Sequence, residues 1–543
     1  MALISDHARR TGLALLLLAG TLSVGSSALG QASVAAVRFS PGAGTFVGTH
    51  TVTLDAPAGT AIHYTIDGSL PTATSPIYKG PLSLEASTRL RAVAIAPGVL
   101  SSLGITAGQQ GPVATEVYLR VDKGTASFTS HLPIILIHTF ESGPLEAYGS
   151  EHVPAAVLVL EPASGRTPMV GRAALDSRIG IHVRGESSRR FPKKQYAVEL
   201  RADDTDGDLD QPLLGLPANS DWVLSDPVTY DRSLIRNALA YALSNRIGRY
   251  APRTRFAEAF LVDDGGDVRA EKFLGFYTLI EKIERSPRRV NVNRLPESAT
   301  APSEKSGGFI LRIDKGAADF AAGGRRVQFV YPDADDMRLP ERTPQFDYIS
   351  TFIDDFVRAA GDADFTHPVT GQHYSAYIDV DAWIDHHILN TLAKNVDALR
   401  FSAYFHKERG GRLVAGPLWD FDRSFGTLQD PRAGEPEEWR TVWGDGTDPF
   451  NEGWWGLLFR DPDFRSRYRR RFTTLLNGEL SPANLDRVID AMVAEVGDAA
   501  GRNFERWQET PPQDNSYAAE IALMKDFLRR RSAWIRSQLD ATF

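Results

Sequence analysis

Between residues 37 and 121 short runs alternate apolar and polar side chains. Thr51-Val52-Thr53-Leu54, Ile62 to Ile66 and Leu90 to Ile95 are the clearest, separated by Asp67-Gly68 and proline-rich turns. Period-two alternation at this spacing predicts a small antiparallel sandwich over residues 36–122, followed by a linker from Asp122 to Ser130. Leu132 to His138 (LPIILIH) is instead a continuous apolar run, which predicts a buried strand. Ala156 to Glu161 and Ile179 to Val183 continue a sheet. From Lys194 to Leu200 alternation returns. In a strand it would put Lys194 with Tyr196, Val198 and Leu200 on the inner face, and Lys193 with Gln195 and Glu199 outside. Ala257 to Val262, Phe273 to Glu281 and Gly308 to Asp314 read as further strands. Helical spacing appears at Asp231 to Arg246, Glu341 to Ala360 and Val380 to Leu392. It dominates after Trp454, where Asp461-Pro462 and Ser481-Pro482 have the form of helix starts and Ala518 to Leu539 closes the chain. The whole predicts an α+β chain of 36–122 and 130–543, strands first and helices last.

Asn390 to Gly426 concentrates the chemistry. It reads as the end of a polar helix, a strand carrying Phe401, Ala403 and Phe405, a Gly410-Gly411 turn, and a second strand from Arg412 to Trp419. The hairpin would bring Asp397 beside Asp420 and Asp422, 23 and 25 residues later. Three acids at one end of a hairpin repel unless a cation or hydrogen-bond donors balance them. Magnesium suits such a place, because it takes oxygen ligands and uses one or two carboxylates plus phosphates. The third acid can then accept a proton or orient a nucleophile. Trp419, Phe421 and Phe425 interleave with the acids, which speaks against a merely solvated turn. Adjacent His386 and His387 do not face one another on a helix and do not read as a zinc pair.

The N-x-D…WDFDRSFG arrangement resembles the spore coat protein H (CotH) kinase family of secreted atypical protein kinases. The resemblance extends to Arg184-Gly185-Glu186-Ser187-Ser188, Pro192-Lys193-Lys194, Asp231 to Asn237, Gly275-Phe276-Tyr277 with Glu281, and Gly307-Gly308-Phe309. It covers roughly Ser130 to Phe543 and implies a two-lobed, protein-kinase-like domain with a helical C-terminal region. Tyr64 to Ser69, Pro71-Thr72 and Ser75 to Tyr78 resemble the immunoglobulin-like module at the C-terminus of chitobiases and hexosaminidases, where carbohydrate contact is an accessory role.

The kinase resemblance implies transfer of the ATP γ-phosphate to Ser or Thr of an exported protein, with ATP and Mg2+ as partners. Asp397 would be the catalytic base. Asp420, Asp422 and Ser402 would be metal ligands, with the principal one of the two acids left open. Lys194, Arg184, Ser187 and Ser188 would face phosphates, and the segment of Tyr277 and Glu281 would border adenine. Kinases pair the phosphate lysine with a helix Glu; here Asp226 or Asp231 would substitute. A kinase also places Asn five residues after the catalytic Asp, and this chain has Ser402 there, a weaker neutral ligand. That departure keeps a second class open: a non-catalytic surface protein binding a glycan or protein through the sandwich. Glycoside hydrolysis is a third option, supported by the module alone.

Charge and composition then narrow the class. A net charge of −8 gives no footprint for nucleic acid. There is no cysteine, so disulfides and thiolate metal sites are excluded. Arg9-Arg10, the apolar run Leu13 to Ala19 and the small residues after it read as a secretory signal over 1–32, cleaved after Gly30 or Ala32. The mature chain is then expected outside the cytoplasm, without a membrane span.

Overall fold

A computed structural model describes residues 34–543 apart from 98, 99, 102, 103, 106, 107, 146–148, 150, 187, 227, 228 and 441–447. The signal expected over 1–32, and Ser187, lie outside the described residues.

The first unit is a two-layer sandwich. Arg38–Ser40, His50–Asp55 and Leu82–Leu84 form one sheet; Gly44–Phe46, Ala114–Arg120, Thr88–Ile95 and Ala61–Thr65 form the other. One pair departs from the antiparallel expectation: Gly44–Phe46 runs parallel to Ala114–Arg120. Val52, Leu54, Leu90, Ala92 and Tyr118 fill the space between the layers.

Seven strands then close into a barrel: Ile134–His138, Val153–Leu160, Leu175–Arg184, Gln195–Arg201, Asp221–Ser225, Phe273–Glu281 and Thr254–Val262. Closure comes from the parallel pairing of Ile134–His138 with Thr254–Val262; the other pairs are antiparallel. Alternate residues such as Ile135, Val157, Ile181, Val198, Leu224 and Tyr277 fill the interior. The outer face is apolar as well. Ile134, Leu136, Leu158 and Phe260 pack on Val117, Leu119 and Val121 from the sandwich side. Val223, Phe256, Phe276 and Ile280 pack on the helical half. A strand buried on both faces has no polar side to show, which explains the unbroken run at 132–138.

The sandwich is docked through main chain as well as side chains. Thr45 N–H donates to Gly171 O at 2.9 Å, Asp122 N–H to Val268 O at 3.0 Å, and Val268 N–H to Arg120 O at 2.8 Å. A Cβ on Gly44 would stand 2.4 Å from Gly171 O, so only glycine allows this approach. Half-buried Asp176 of the barrel accepts Val117 N–H from the sandwich at 3.1 Å. Burial, then the Glu116 charge, push its carboxyl up to about 7. An acid whose folded pKa lies above its unfolded one costs stability as pH rises from the unfolded value, 3.8, through about 7. Asp176→Asn should therefore melt higher than the parent at pH 8, by about a few degrees, with the gain gone near pH 4. Melting curves at the two pH values check this.

Beyond the barrel lies a five-stranded sheet ordered Phe320–Ala322, Arg325–Tyr331, Phe309–Ile313, Ala403–Lys407, Leu413–Ala415, surrounded by helices. Those helices are Arg236–Arg246, Thr343–Gly361, Val380–Ala393, Pro462–Asn477, Pro482–Val496, Ala499–Arg506 and Tyr517–Thr542. Val380–Ala393 is buried almost all round rather than the polar helix expected. Its polar residues are paired: Asp385 with Arg249 and Arg471, His387 with Tyr468 Oη and Pro449 O. Burial pushes His386 down to about 3 and His387 to about 4. Among the described residues no helix is long and apolar enough to cross a membrane.

Candidate active site

A cleft of about 340 Å3 opens where the end of the Leu175–Arg184 strand faces the hairpin of the five-stranded sheet. The hairpin forms as its glycines predict: Phe405 pairs with Ala415 and Lys407 with Leu413 across the 410–411 turn. Asp397 and Asp420 sit on the connections at its open end, and both line the cleft with Asp422, Ser402, Arg184 and Ser188. Phe401, expected in the strand, precedes it and lines the cleft instead.

Backbone strain gathers here. Lys394, Leu399, Ser402, Asp420 and Phe425 all have positive φ, from 49° to 69°. Outside glycine that region is sparsely used, and such residues cluster where surrounding structure holds functional groups in place. Asn395 Nδ2 donates to Asp420 O at 3.1 Å, and Asp420 N–H donates to Tyr241 Oη at 3.2 Å, so the turn at Asp420 is clamped from two sides.

Ser402 Oγ donates to Asp420 Oδ2 at 3.2 Å. Burial, then the charges of Asp397 and Asp314, hold the Asp420 carboxyl above its ordinary range, against hydrogen bonds from Asp422 and Ser402. Asp422 is pushed well above that range, by burial first and then by Asp420. The Asp420 charge thus raises Asp422, on top of the burial the two acids have in common. Among the described residues no three His, Asp or Glu side chains are arranged to hold a metal ion by themselves. Two recessed acids side by side in the cleft are nevertheless suited to a divalent cation whose remaining ligands come from phosphate and water.

Asp397 is 8% exposed and is surrounded by cations. Arg423 Nη1 lies 3.0 Å from its carboxylate, Arg432 Nη2 3.5 Å, Lys315 Nζ 3.6 Å and Arg400 Nη2 3.7 Å. Arg423 and Arg432 also bond buried Asp430. The Arg184 guanidinium lies over the Trp419 ring at 5.5 Å, and both line the cleft.

Protein-family comparison matches residues 181–535 to the family described as CotH kinase protein. This chain belongs to the CotH kinase family. Residues 41–106, in the sandwich, match the family described as Chitobiase/beta-hexosaminidase C-terminal domain. A comparison with curated proteins gave no match.

Not every residue singled out for this CotH-family site stands in the cleft. Lys194 is not the inward lysine. It precedes the strand, which begins at Gln195, and its ammonium donates to Arg189 O at 2.9 Å outside the cleft. Lys193, expected outside, is 3% exposed. Its ammonium lies 3.0 Å from Asp226, donates to Phe276 O and Asn503 Oδ1, and sits over the Tyr277 ring at 4.6 Å. Of the two acids left open as a lysine partner, Asp226 takes Lys193 and Asp231 takes Arg236. Tyr277 points into the barrel, with its hydroxyl on Lys194 O at 2.7 Å. Glu281 is fully buried and bound by Arg253 and Tyr250. Neither borders the cleft.

The Lys193 site imposes a demand on Gly275, whose φ is +92° and whose Cβ would meet Asn503 Oδ1 at 2.6 Å. Gly275→Ala should cost about 1–3 kcal/mol, read as a lower midpoint in urea.

Sequence reasoning passed over Asp314, Lys315, Arg312 and Tyr230 as cleft residues. Asp314 ends the Phe309–Ile313 strand, and its carboxylate accepts the N–H groups of Lys315 and Ser402. The signal was present in Asp314-Lys315-Gly316 at a strand end. Only the register that sets Ile313 against Ala403 brings it to the acids.

Proposed function

We propose that this CotH-family protein transfers the γ-phosphate of ATP to a Ser or Thr hydroxyl of an exported protein, with magnesium. The observation that carries the reading is the convergence of Asp397, Asp420 and Asp422 on one cleft lined with Arg184, Lys315 and Arg423. Asp420 and Asp422, with Ser402 beside Asp420, fit the metal position; magnesium bound there supplies charge neutralisation of the phosphates.

The chain's own groups do the rest. Asp397 accepts the hydrogen bond of the acceptor hydroxyl and takes its proton as the oxygen bonds to phosphorus. The bond from phosphorus to the β-phosphate oxygen breaks, and its electron pair leaves with ADP. Phosphoryl transfer asks mainly for positioning and charge stabilisation. A carboxylate fixed by guanidinium groups is suited to orienting the acceptor. Arg184 faces the cleft from the barrel side as an anion partner, where Arg is the residue type that holds phosphate in a planar fork.

The test is purified protein with magnesium, labelled ATP and a serine-rich acceptor. Label transfer together with a nucleotide-dependent rise in melting temperature is expected; absence of both removes the reading. A specific observation favours a second reading, a nucleotide-binding protein without catalysis. Ser402 stands where kinases carry Asn, and its hydroxyl is already spent on Asp420. In that case the melting temperature rises and no label moves, leaving partner binding to the sandwich.

A further inference from the structure

We infer that Lys315 is a catalytic cation of this cleft, donating to the oxygens of the phosphoryl group as it passes to the acceptor. The inference rests on the phosphotransferase reading above and assigns a lysine outside the segments that carry the family resemblance.

The argument starts from strand register. Phe309–Ile313 pairs antiparallel with Ala403–Lys407, Ile313 opposite Ala403, so the residues that follow one strand lie beside those that precede the other. Asp314 fixes this crossing by accepting both Lys315 N–H, at 2.8 Å, and Ser402 N–H, at 3.3 Å. Lys315 therefore leaves a held backbone, and its ammonium lies 5.1 Å from the centre of the Phe401 ring and 3.6 Å from Asp397.

The cations beside Asp397 are not equivalent. Arg423 and Arg432 divide themselves between Asp397 and buried Asp430. Arg400 also donates to Val396 O at 3.0 Å. Lys315 keeps a 42% exposed side chain, a loose ion pair and a flexible four-carbon stem with three donors. It is the cation best able to follow charge from one oxygen to another. Lys193 is fully engaged with Asp226, Phe276 O and Asn503, and Lys194 lies outside the cleft.

During transfer the lysine forms and breaks no covalent bond. Its N–H groups shift from Asp397 toward the phosphoryl oxygens while Asp397 takes the acceptor proton. Loss of one such donor typically costs about a hundred- to a thousandfold in turnover.

The experiment is acylation of the full chain by a biotin-bearing acyl phosphate of ATP with magnesium, followed by peptide mapping. A lysine beside the phosphates attacks the acyl carbonyl, forms an amide and releases ATP. Acylation of Lys315 that falls at least tenfold with excess ATP is expected. ATP-protected acylation at Lys194 or Lys193 without Lys315 overturns the inference and leaves the nucleotide reading intact. The same holds if nucleotide raises the melting temperature but Lys315 is never protected. No protection and no thermal shift removes both. In parallel, Lys315→Met should lower turnover about a hundredfold with nucleotide affinity changed less than about threefold, and Lys315→Arg should recover part of the loss. Wild-type turnover in Lys315→Met overturns the assignment.

Discussion

Asp397→Asn should lower label transfer by about a hundred- to ten-thousandfold while leaving the magnesium–nucleotide rise in melting temperature in place. Asn keeps the shape and one acceptor oxygen but cannot take the acceptor's proton. It also removes the charge that Arg423, Arg432, Lys315 and Arg400 surround. Buried Asp430 remains to balance two of them, so the variant should fold and retain the cleft. Thermal shift and transfer therefore separate two roles. Loss of both would mean that Asp397 holds the cleft together. Undiminished transfer would remove it from the chemistry altogether.

Arg236→Leu should destabilise the protein by about 3–5 kcal/mol. Arg236 is fully buried between Asp231 and Glu520, at 2.7 and 3.1 Å, and its Nε donates to Ser424 O at 2.9 Å. Removing the guanidinium strands two acids in the core, one of which burial already pushes upward. The bond to Ser424 also ties the start of the Arg236–Arg246 helix to the turn that carries Asp422, so transfer should fall along with the urea midpoint. Arg529→Leu is the comparison: its pair with Asp486 is at the surface, and no measurable change is expected. An unchanged urea midpoint in Arg236→Leu would show that the buried network contributes nothing net.

The parts of the site that were legible in sequence are those fixed by neighbours in the chain. A glycine turn between two alternating runs sets a hairpin, and a hairpin sets Asp397 beside Asp420 however far apart they are numbered. The lysine assignment failed where that logic ends. Residues 188–190 form a short 3-10 turn and the strand begins only at Gln195, so period two does not extend back to Lys193 and Lys194. Lys193 is drawn inward by Asp226 and by Asn503, 310 residues away. Tyr277 and Glu281 were misplaced for a related reason. Their side of the strand became an interior when a parallel pairing closed the barrel, and no local pattern announces a parallel partner. The Val380–Ala393 helix looked polar because its partners Arg249, Tyr468 and Arg471 come from distant segments.

The direct seating of the sandwich on the barrel, main chain against main chain at Thr45 and Gly171, has a geometric corollary. A domain hung on a slack tether samples many headings and brings its cargo near by raising local concentration. One bonded edge to edge does not swing. Anything held by the sandwich would meet the cleft at a single span and a single bearing. Under the phosphotransferase function proposed above, selection among acceptors would then be a matter of reach, favouring a hydroxyl set at the right offset from the gripped epitope over any particular residues around it.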